Sequence, residues 1–87
     1  MKNIPKLKID YSNGLTIITL NNKPIPAIQK ISIEANKRGS KEIIKIYFPL
    51  VLFQNANSSL GQKICSFTKE LIKIPNMQIY ADKKRIL

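Results

Sequence analysis

The chain has 87 residues, with 15 Lys and Arg side chains against 5 Asp and Glu, which gives a formal net charge of +10. It contains no His and a single Cys, Cys65, which excludes His-dependent triads, Cys/His zinc sites and an intrachain disulfide framework. Hydrophobic residues make up 44% of the chain, enough for one modest core. We therefore expect a single domain over residues 1–87.

No stretch of the sequence has the length of a membrane-spanning helix. The longest uninterrupted apolar run covers residues 46–53 and contains Pro49, whereas a span needs about 20 apolar residues. The first six residues are not followed by an apolar stretch of signal-peptide length. Together with the lone thiol, these features predict a cytoplasmic protein without a membrane span.

Residues 4–26 predict a hairpin followed by a loop. Residues 4–11 alternate beyond Pro5, with Leu7, Ile9 and Tyr11 on one face, which predicts a strand. Asn13-Gly14 is a strong turn signal, and residues 15–20, rich in β-branched side chains, predict the second strand. Two prolines in residues 21–26 predict a loop.

A second hairpin is predicted from residues 27–35 and 41–48, joined by a turn over residues 36–40. Residues on the same face of a sheet must lie opposite each other. Matching the apolar faces across a turn centred on Arg38-Gly39 predicts four cross-strand pairs: Ile33 with Ile44, Ile31 with Ile46, Ser32 with Lys45, and Lys30 with Tyr47.

The second half of the chain carries the one clear helical pattern. Residues 49–53 are apolar without a period and fit either a buried strand or a covering segment. Ser59 and Gln62 form a candidate capping box, and Pro75 ends the helix. The apolar stripe consists of Leu60, Ile64, Phe67 and Leu71. Residues 77–81 alternate and predict a short last strand, followed by a basic tail.

These elements predict an α+β fold. We expect an antiparallel sheet of four to five strands, as a β-meander or a small barrel, with one C-terminal helix packed on it and a short final strand. The expected core consists of Ile31, Ile33, Ile44, Ile46, Leu60, Ile64, Phe67 and Leu71.

The sequence offers no set of residues for catalysis. Cys65 lies beside the helical stripe and is expected to be a small buried core residue, since no His is present to activate it. The five carboxylates are scattered, and the closest pair, Glu34 and Glu42, falls at an exposed hairpin tip. We therefore expect no catalytic residue, no cofactor and no metal site, and hence no enzyme.

The basic residues are the one functional signal. Phosphate contact needs positive charge and no base code, and Tyr47 and Tyr80 offer stacking surfaces on strand faces. Arg is scarce, which argues against sequence-specific base recognition. The candidate nucleic-acid-binding residues are Lys30, Lys37, Arg38, Lys41, Lys45, Tyr47, Lys83, Lys84 and Arg85.

A solvated lysine coat is the alternative explanation of this charge. Ile, Lys and Asn share A/T-rich codons and are all abundant here, so part of the Lys content can reflect codon usage. The same codon bias permits Asp and Glu, which are few. The shortage of acids favours an anionic partner and excludes a DNA-mimicking inhibitor, whose surface must be acidic.

Residues 15–48 resemble small phage and prophage proteins of unknown function. The shared pattern is Leu-Asn-Gly-x-x-Ile-x-x-Ile-x-x-Ile-x-Ile followed by a β-rich strand. Here it begins at Leu20, with Asn22 where the pattern has Gly, and it gives no guidance beyond Phe53. The resemblance implies an accessory protein of a mobile element or a virion protein, located in the host cytoplasm, and it carries over no functional residue.

Two functions from different classes remain after this reading. The first is a small non-enzymatic basic protein that contacts nucleic acid or a nucleoprotein complex through phosphate. The alternative is a protein-binding or structural subunit, such as a virion component or a host-targeting inhibitor. Candidate partners are thus nucleic acid, another protein or a second copy of the chain.

Overall fold

A computed structural model describes residues 4–35, 42–55 and 57–87. The elements in chain order are β1 (Leu7–Ser12), β2 (Leu15–Leu20), β3 (Lys23–Pro24), β4 (Lys30–Ala35), β5 (Glu42–Phe48), α1 (Val51–Gln54), α2 (Ser59–Leu71), β6 (Met77–Ala81) and β7 (Lys84–Arg85). The α+β class is confirmed. The single antiparallel sheet is wrong, because the strands form one sheet in the order β1-β2-β3 and another in the order β4-β5-β6-β7.

The first sheet is built on two tight turns. Asn13 and Gly14 both have positive φ, at 52° and 74°, and they join β1 to β2 with Ser12 opposite Leu15. This is the predicted hairpin. Asn21 and Asn22 also have positive φ and turn the chain back into β3, where a loop was predicted. Asn tolerates this conformation, which Gly adopts without cost.

The prolines and one strained alanine end the first sheet. Pro24 and Pro26 have no backbone N–H to donate, so β3 pairs with β2 at only two positions. Ala27 follows with φ of 65°, a left-handed conformation that redirects the chain. β4 therefore starts at Lys30 and joins a different sheet, which is why no continuous meander forms.

The second sheet keeps the predicted register of its first two strands. Ile33 lies opposite Ile44 and Lys30 lies opposite Tyr47, as the alternation of the two strands requires. The last predicted strand is also confirmed as β6, but it pairs with β5 in parallel. The two helices lie between these strands in the chain and carry it back to the starting end of the sheet, as a parallel pair requires.

The helical segment departs from the prediction in two ways. Residues 51–54 form a short helix of their own. The N-cap of α2 is Ser58, whose Oγ accepts the N–H of Gly61 at 3.0 Å, and not its neighbour Ser59. Ser58 takes this role because its own N–H and hydroxyl both donate to the Asn55 carbonyl, which fixes its position at the start of the helix.

Close contact between α1 and α2 determines which face of α2 is buried. A Cβ at Gly61 would lie 2.5 Å from the Asn55 carbonyl oxygen and 2.9 Å from that of Leu52, so only glycine fits. The buried positions are accordingly Gly61, Ile64, Thr68 and Leu71. Cys65 is half-buried, where full burial was expected.

Both sheets and α2 share one apolar core. Ile46, Ile64 and Leu71 are fully buried as predicted, while Ile31, Ile44 and Phe67 are only partly buried against the core. Ile33 and Leu60, which were predicted to be core residues, are 46% and 39% exposed. The core gains residues from both sheets: Ile18, Leu20, Ile25, Phe48, Met77 and Ile79.

Among the described residues, no helix has the length and apolar character needed to cross a membrane.

Candidate nucleic-acid interface

The second sheet has one face packed on α2 and one face turned away from it. Ile46, Phe48 and Ile79 point to the α2 side, where they are fully buried with Ile64 and Leu71. Side chains alternate along each strand, so their neighbours point the other way. We call this opposite surface the outer face; it carries Lys30, Ser32, Glu34, Ile43, Lys45, Tyr47, Gln78, Tyr80 and Arg85.

A row of two basic and two aromatic side chains crosses the outer face. Lys30 is the register partner of Tyr47, Tyr47 of Tyr80, and Tyr80 of Arg85. The row thus contains one residue from each strand of the sheet, with two tyrosines in the middle and a cation at either end. We call these four residues the basic–aromatic row.

The two tyrosines of the row stack on each other. Their ring centroids are 4.5 Å apart and their planes differ by 24°. Because neighbouring strands are about 4.8 Å apart, near-parallel rings at this distance must stand side by side on the sheet. Each ring therefore has one face against the other ring and one face free of it.

Two lysine ammonium groups lie close to the tyrosine pair. The Lys30 Nζ is 5.5 Å from the centroid of the Tyr47 ring, and the Lys45 Nζ is 6.0 Å from that of Tyr80, both within the usual range of a cation–π contact. Arg85, at the far end of the row, is exposed, and its Nε donates to the Leu87 carbonyl at 3.1 Å.

Lys45 differs from Lys30 because it has an acidic partner. Its Nζ donates to the Glu34 carboxylate at 3.0 Å. This hydrogen bond raises the pKa of Lys45 above its ordinary value, against a smaller lowering by desolvation. Lys45 therefore stays charged, but Glu34 neutralises part of its field.

A cleft opens beside Tyr47 at one end of the outer face. It has a volume of about 630 Å³ and is lined by Gln29, Lys30, Tyr47, Asp82 and Lys83. The chain is held firmly here. The Gln29 N–H donates to the Tyr47 carbonyl at 2.8 Å, and the Asp82 Oδ1 accepts the N–H of Leu50 at 3.2 Å.

The structure brings together some of the predicted site residues and separates others. Lys30, Lys45, Tyr47 and Arg85 share the outer face, and Lys83 lies at its border in the cleft. Lys84 pairs with Ala81, which is buried on the opposite side, so Lys84 belongs to the other face. The remaining three predicted residues, Lys37, Arg38 and Lys41, lie outside the described residues.

Gln29 and Asp82 were not predicted as site residues from the sequence. They line the cleft from the connection before β4 and from the turn after β6. Tyr80 was predicted as a stacking surface but not as a binding residue, and its place beside Tyr47 depends on the parallel pairing of β6 with β5, which no local pattern indicates. Asp82 carried a signal, since an Asp directly after a strand is typical of a turn.

Positive charge is not confined to the outer face. Other basic side chains lie on the first sheet or just before it, at Lys6, Lys8 and Lys23, and on α2 or just beyond its end, at Lys63, Lys69 and Lys73. Around the outer face and its cleft, four basic residues stand against the acids Glu34 and Asp82. The aromatic pair between the cations, and not the amount of charge, distinguishes this surface.

Comparison of the chain with protein-family models, with curated proteins and with solved structures gives no match. Within the described residues, no three side chains of the His, Cys, Asp and Glu types are grouped so that they could hold a metal ion.

Proposed function

We propose that this protein is a non-enzymatic module that binds nucleic acid, or a nucleoprotein complex, through the outer face of its second sheet. Phosphates contact the lysine and arginine side chains, and the tyrosine pair contacts bases or sugars. The contact is independent of base sequence, because a single Arg in the row offers little bidentate base recognition.

One observation supports this proposal above the others. The basic–aromatic row places a stacked Tyr47–Tyr80 pair between Lys30 and Arg85, in register across four strands. Cations that follow a backbone and aromatic side chains that meet bases are the two components of sequence-tolerant nucleic-acid binding. A lysine coat that serves only solubility has no need of the aromatic pair.

The direct test is a salt titration of binding to generic DNA and RNA. The Lys30→Ala/Arg85→Ala double variant removes both ends of the row, and Lys8→Ala/Lys69→Ala removes the same charge from the first sheet and from α2. The logarithm of the binding constant falls with the logarithm of the salt concentration. Each lost phosphate contact should make this slope shallower by roughly 0.7 for single strands and 0.9 for duplex DNA. Only the row variant should show this reduction. Absence of binding at low salt, or equal slopes for both variants, would contradict the proposal.

A second candidate function, protein binding, is favoured by the free edge of β4. The strand is six residues long and lies at the edge of its sheet, so one side of its backbone has no strand partner among the described residues. A groove of about 490 Å³, lined by Ile17, Ile31 and eight other residues, separates it from the first hairpin. Exposed edges of this kind accept an extended segment of another polypeptide.

The occupant of that edge would be an extended, acidic segment of another protein, since a chain of net charge +10 repels a second copy of itself. Binding of such a segment would suit a virion subunit or a host-targeting inhibitor, and the phage-like pattern of residues 15–48 implies an accessory protein of a mobile element or a virion protein. Ile33→Glu should weaken this contact, because Ile33 is exposed on the edge strand and a carboxylate there repels an acidic segment. Ile72→Glu, at an equally exposed isoleucine beyond the end of α2, should leave the contact unchanged.

A further inference from the structure

We infer that the cleft beside Tyr47 holds one unpaired nucleotide, so that this protein prefers single-stranded nucleic acid to duplex. The inference rests on the proposed function, since it names the class of nucleic acid that the same face selects. The cleft volume of about 630 Å³ lies within the range of small-ligand sites.

The cleft offers contacts for each part of a nucleotide. Tyr47 contributes its ring, of which one face meets Tyr80, and the Lys30 ammonium lies 5.5 Å from the ring centroid. An ammonium on a flexible stem can move aside for a base while remaining within reach of its phosphate. Tyr47 is thus the stacking residue of the cleft and Lys30 its adjustable cation.

The polar groups of the cleft divide into two sets. Lys30 and Lys83 are cations at its rim and suit the phosphates on either side of one nucleotide. Gln29 carries an amide that both donates and accepts, and the Asp82 carboxylate, whose Oδ1 already accepts the Leu50 N–H, has further acceptor positions. The Asp82 carboxylate repels phosphate but can accept a hydrogen bond from an N–H group of a base. The base edge, and not a phosphate, should therefore lie at the Asp82 end of the cleft.

A duplex cannot use these groups. In a duplex, each base is stacked on both faces and its pairing edge is occupied, so the protein meets mainly phosphates. The ring of Tyr47 and the acceptors of Gln29 and Asp82 are reached only by a base that has left the stack. Duplex binding therefore depends on the cations alone, whereas single-strand binding adds the contacts of the cleft.

The test compares an oligothymidylate with a random-sequence single strand, a duplex of the same length and the mononucleotide, by fluorescence anisotropy and by competition. We expect both single strands to bind more tightly than the duplex, and the mononucleotide to bind far more weakly because it has few phosphates. Tyr47→Leu should weaken single-strand binding by about 5-fold to 150-fold, the effect of one stacked base, and leave duplex binding unchanged. Tyr47→Phe keeps the ring and should retain affinity.

A second variant of the cleft keeps the test valid if Tyr47→Leu destabilises the fold. Gln29→Ala lies outside the strands and should weaken only single-strand binding, whereas Lys69→Ala on α2 should affect both ligands little and equally. Equal affinity for single strand and duplex, with no effect of Tyr47→Leu or Gln29→Ala, would overturn the single-strand inference and leave phosphate binding intact. No binding to either ligand would overturn the proposed function itself.

Discussion

Tyr47 and Tyr80 lie side by side on parallel strands with their ring centroids 4.5 Å apart, although 33 positions of sequence separate them. Stacked aromatic pairs stabilise a fold by about 0.5–1.5 kcal/mol beyond the burial of their surface. The pair therefore has a structural effect that is independent of any ligand.

A double-mutant cycle measures that effect. We expect Tyr47→Leu and Tyr80→Leu to show a coupling of about 0.5–1.5 kcal/mol in urea-induced unfolding, because either single substitution removes the same stack. Additive losses would mean that the rings do not stack in solution.

Gly61→Ala should destabilise the fold, although alanine is the better helix former. The new Cβ would lie 2.5 Å from the Asn55 carbonyl oxygen, and backbone cannot move aside as a flexible side chain can. We expect a loss of about 1–3 kcal/mol in the free energy of unfolding, as for other overpacked sites. Ser66→Ala, at an exposed position of the same helix, is the control and should change it little. An increase in stability for Gly61→Ala would show that α1 does not pack against α2 at this point.

Ala27→Gly should stabilise the fold. Ala27 has φ of 65°, a conformation that costs an L-residue roughly 1–2 kcal/mol and glycine far less, although the extra freedom of glycine in the unfolded chain offsets part of the gain. A net rise of about 0.5–1 kcal/mol is expected. Ala35→Gly, in a regular strand, should have the opposite sign. Thermal unfolding of the two variants decides the matter, and a loss of stability in both would argue against the left-handed conformation.

The cost of truncating an apolar side chain of α2 should depend on how deeply that side chain is buried. Ile64 is fully buried whereas Phe67 is partly exposed, so Ile64→Ala should cost about 2–5 kcal/mol and Phe67→Ala should cost less than a fully buried Phe would. The sequence alone assigns both residues to the core equally. Chemical denaturation measures both losses, and a loss for Phe67→Ala at the top of the range for a fully buried Phe, about 5 kcal/mol, would contradict the helix orientation.

Glu34→Gln should release the Lys45 ammonium toward anionic ligands. The hydrogen bond to Glu34 raises the pKa of Lys45, so this substitution should lower it, which NMR titration of the Lys45 side chain can follow. Because the pKa of Lys45 is higher in the folded than in the unfolded protein, the charged ammonium stabilises the fold at every pH below the ordinary Lys pKa. This stabilisation is lost as the pH rises through the pKa of Lys45 in the folded protein. The Lys45 ammonium should therefore contribute no pH dependence of stability between pH 5 and 9. Nucleic-acid binding at neutral pH should tighten, and weaker binding would contradict the role assigned to the outer face.

Local patterns determined the parts of this fold that the sequence predicted. Alternation and a predicted turn centred on Arg38-Gly39 together determined the β4–β5 register, including Lys30 opposite Tyr47. A slip by one residue would place charged side chains against the core, and the turn centre excludes a slip by two. Asn13-Gly14 predicted the first hairpin because few residues other than Asn and Gly adopt the positive φ that its turn requires.

The remainder depended on contacts between distant parts of the chain. The parallel placement of β6 follows from a helical crossover and determines that Tyr80 lies beside Tyr47. The buried stripe of α2 depends on the close approach of α1 at Gly61, which shifts it from Leu60. The sequence thus predicted the Lys30–Tyr47 pair of the basic–aromatic row. The placement of Tyr80 and Arg85 beside that pair depends on the order of the strands in the sheet.

The central claim is that nucleic acid binds the outer face, and amide chemical-shift mapping tests it most directly. On titration with a single-stranded oligonucleotide, we predict that the largest shifts will fall on residues of the basic–aromatic row and of the cleft, at Gln29, Lys30, Tyr47, Tyr80, Lys83 and Arg85. Residues of α2 and of the first sheet should move little. Shifts concentrated at Lys63 and Lys69, or at Lys6 and Lys8, would contradict the claim, as would a titration that moves no amide.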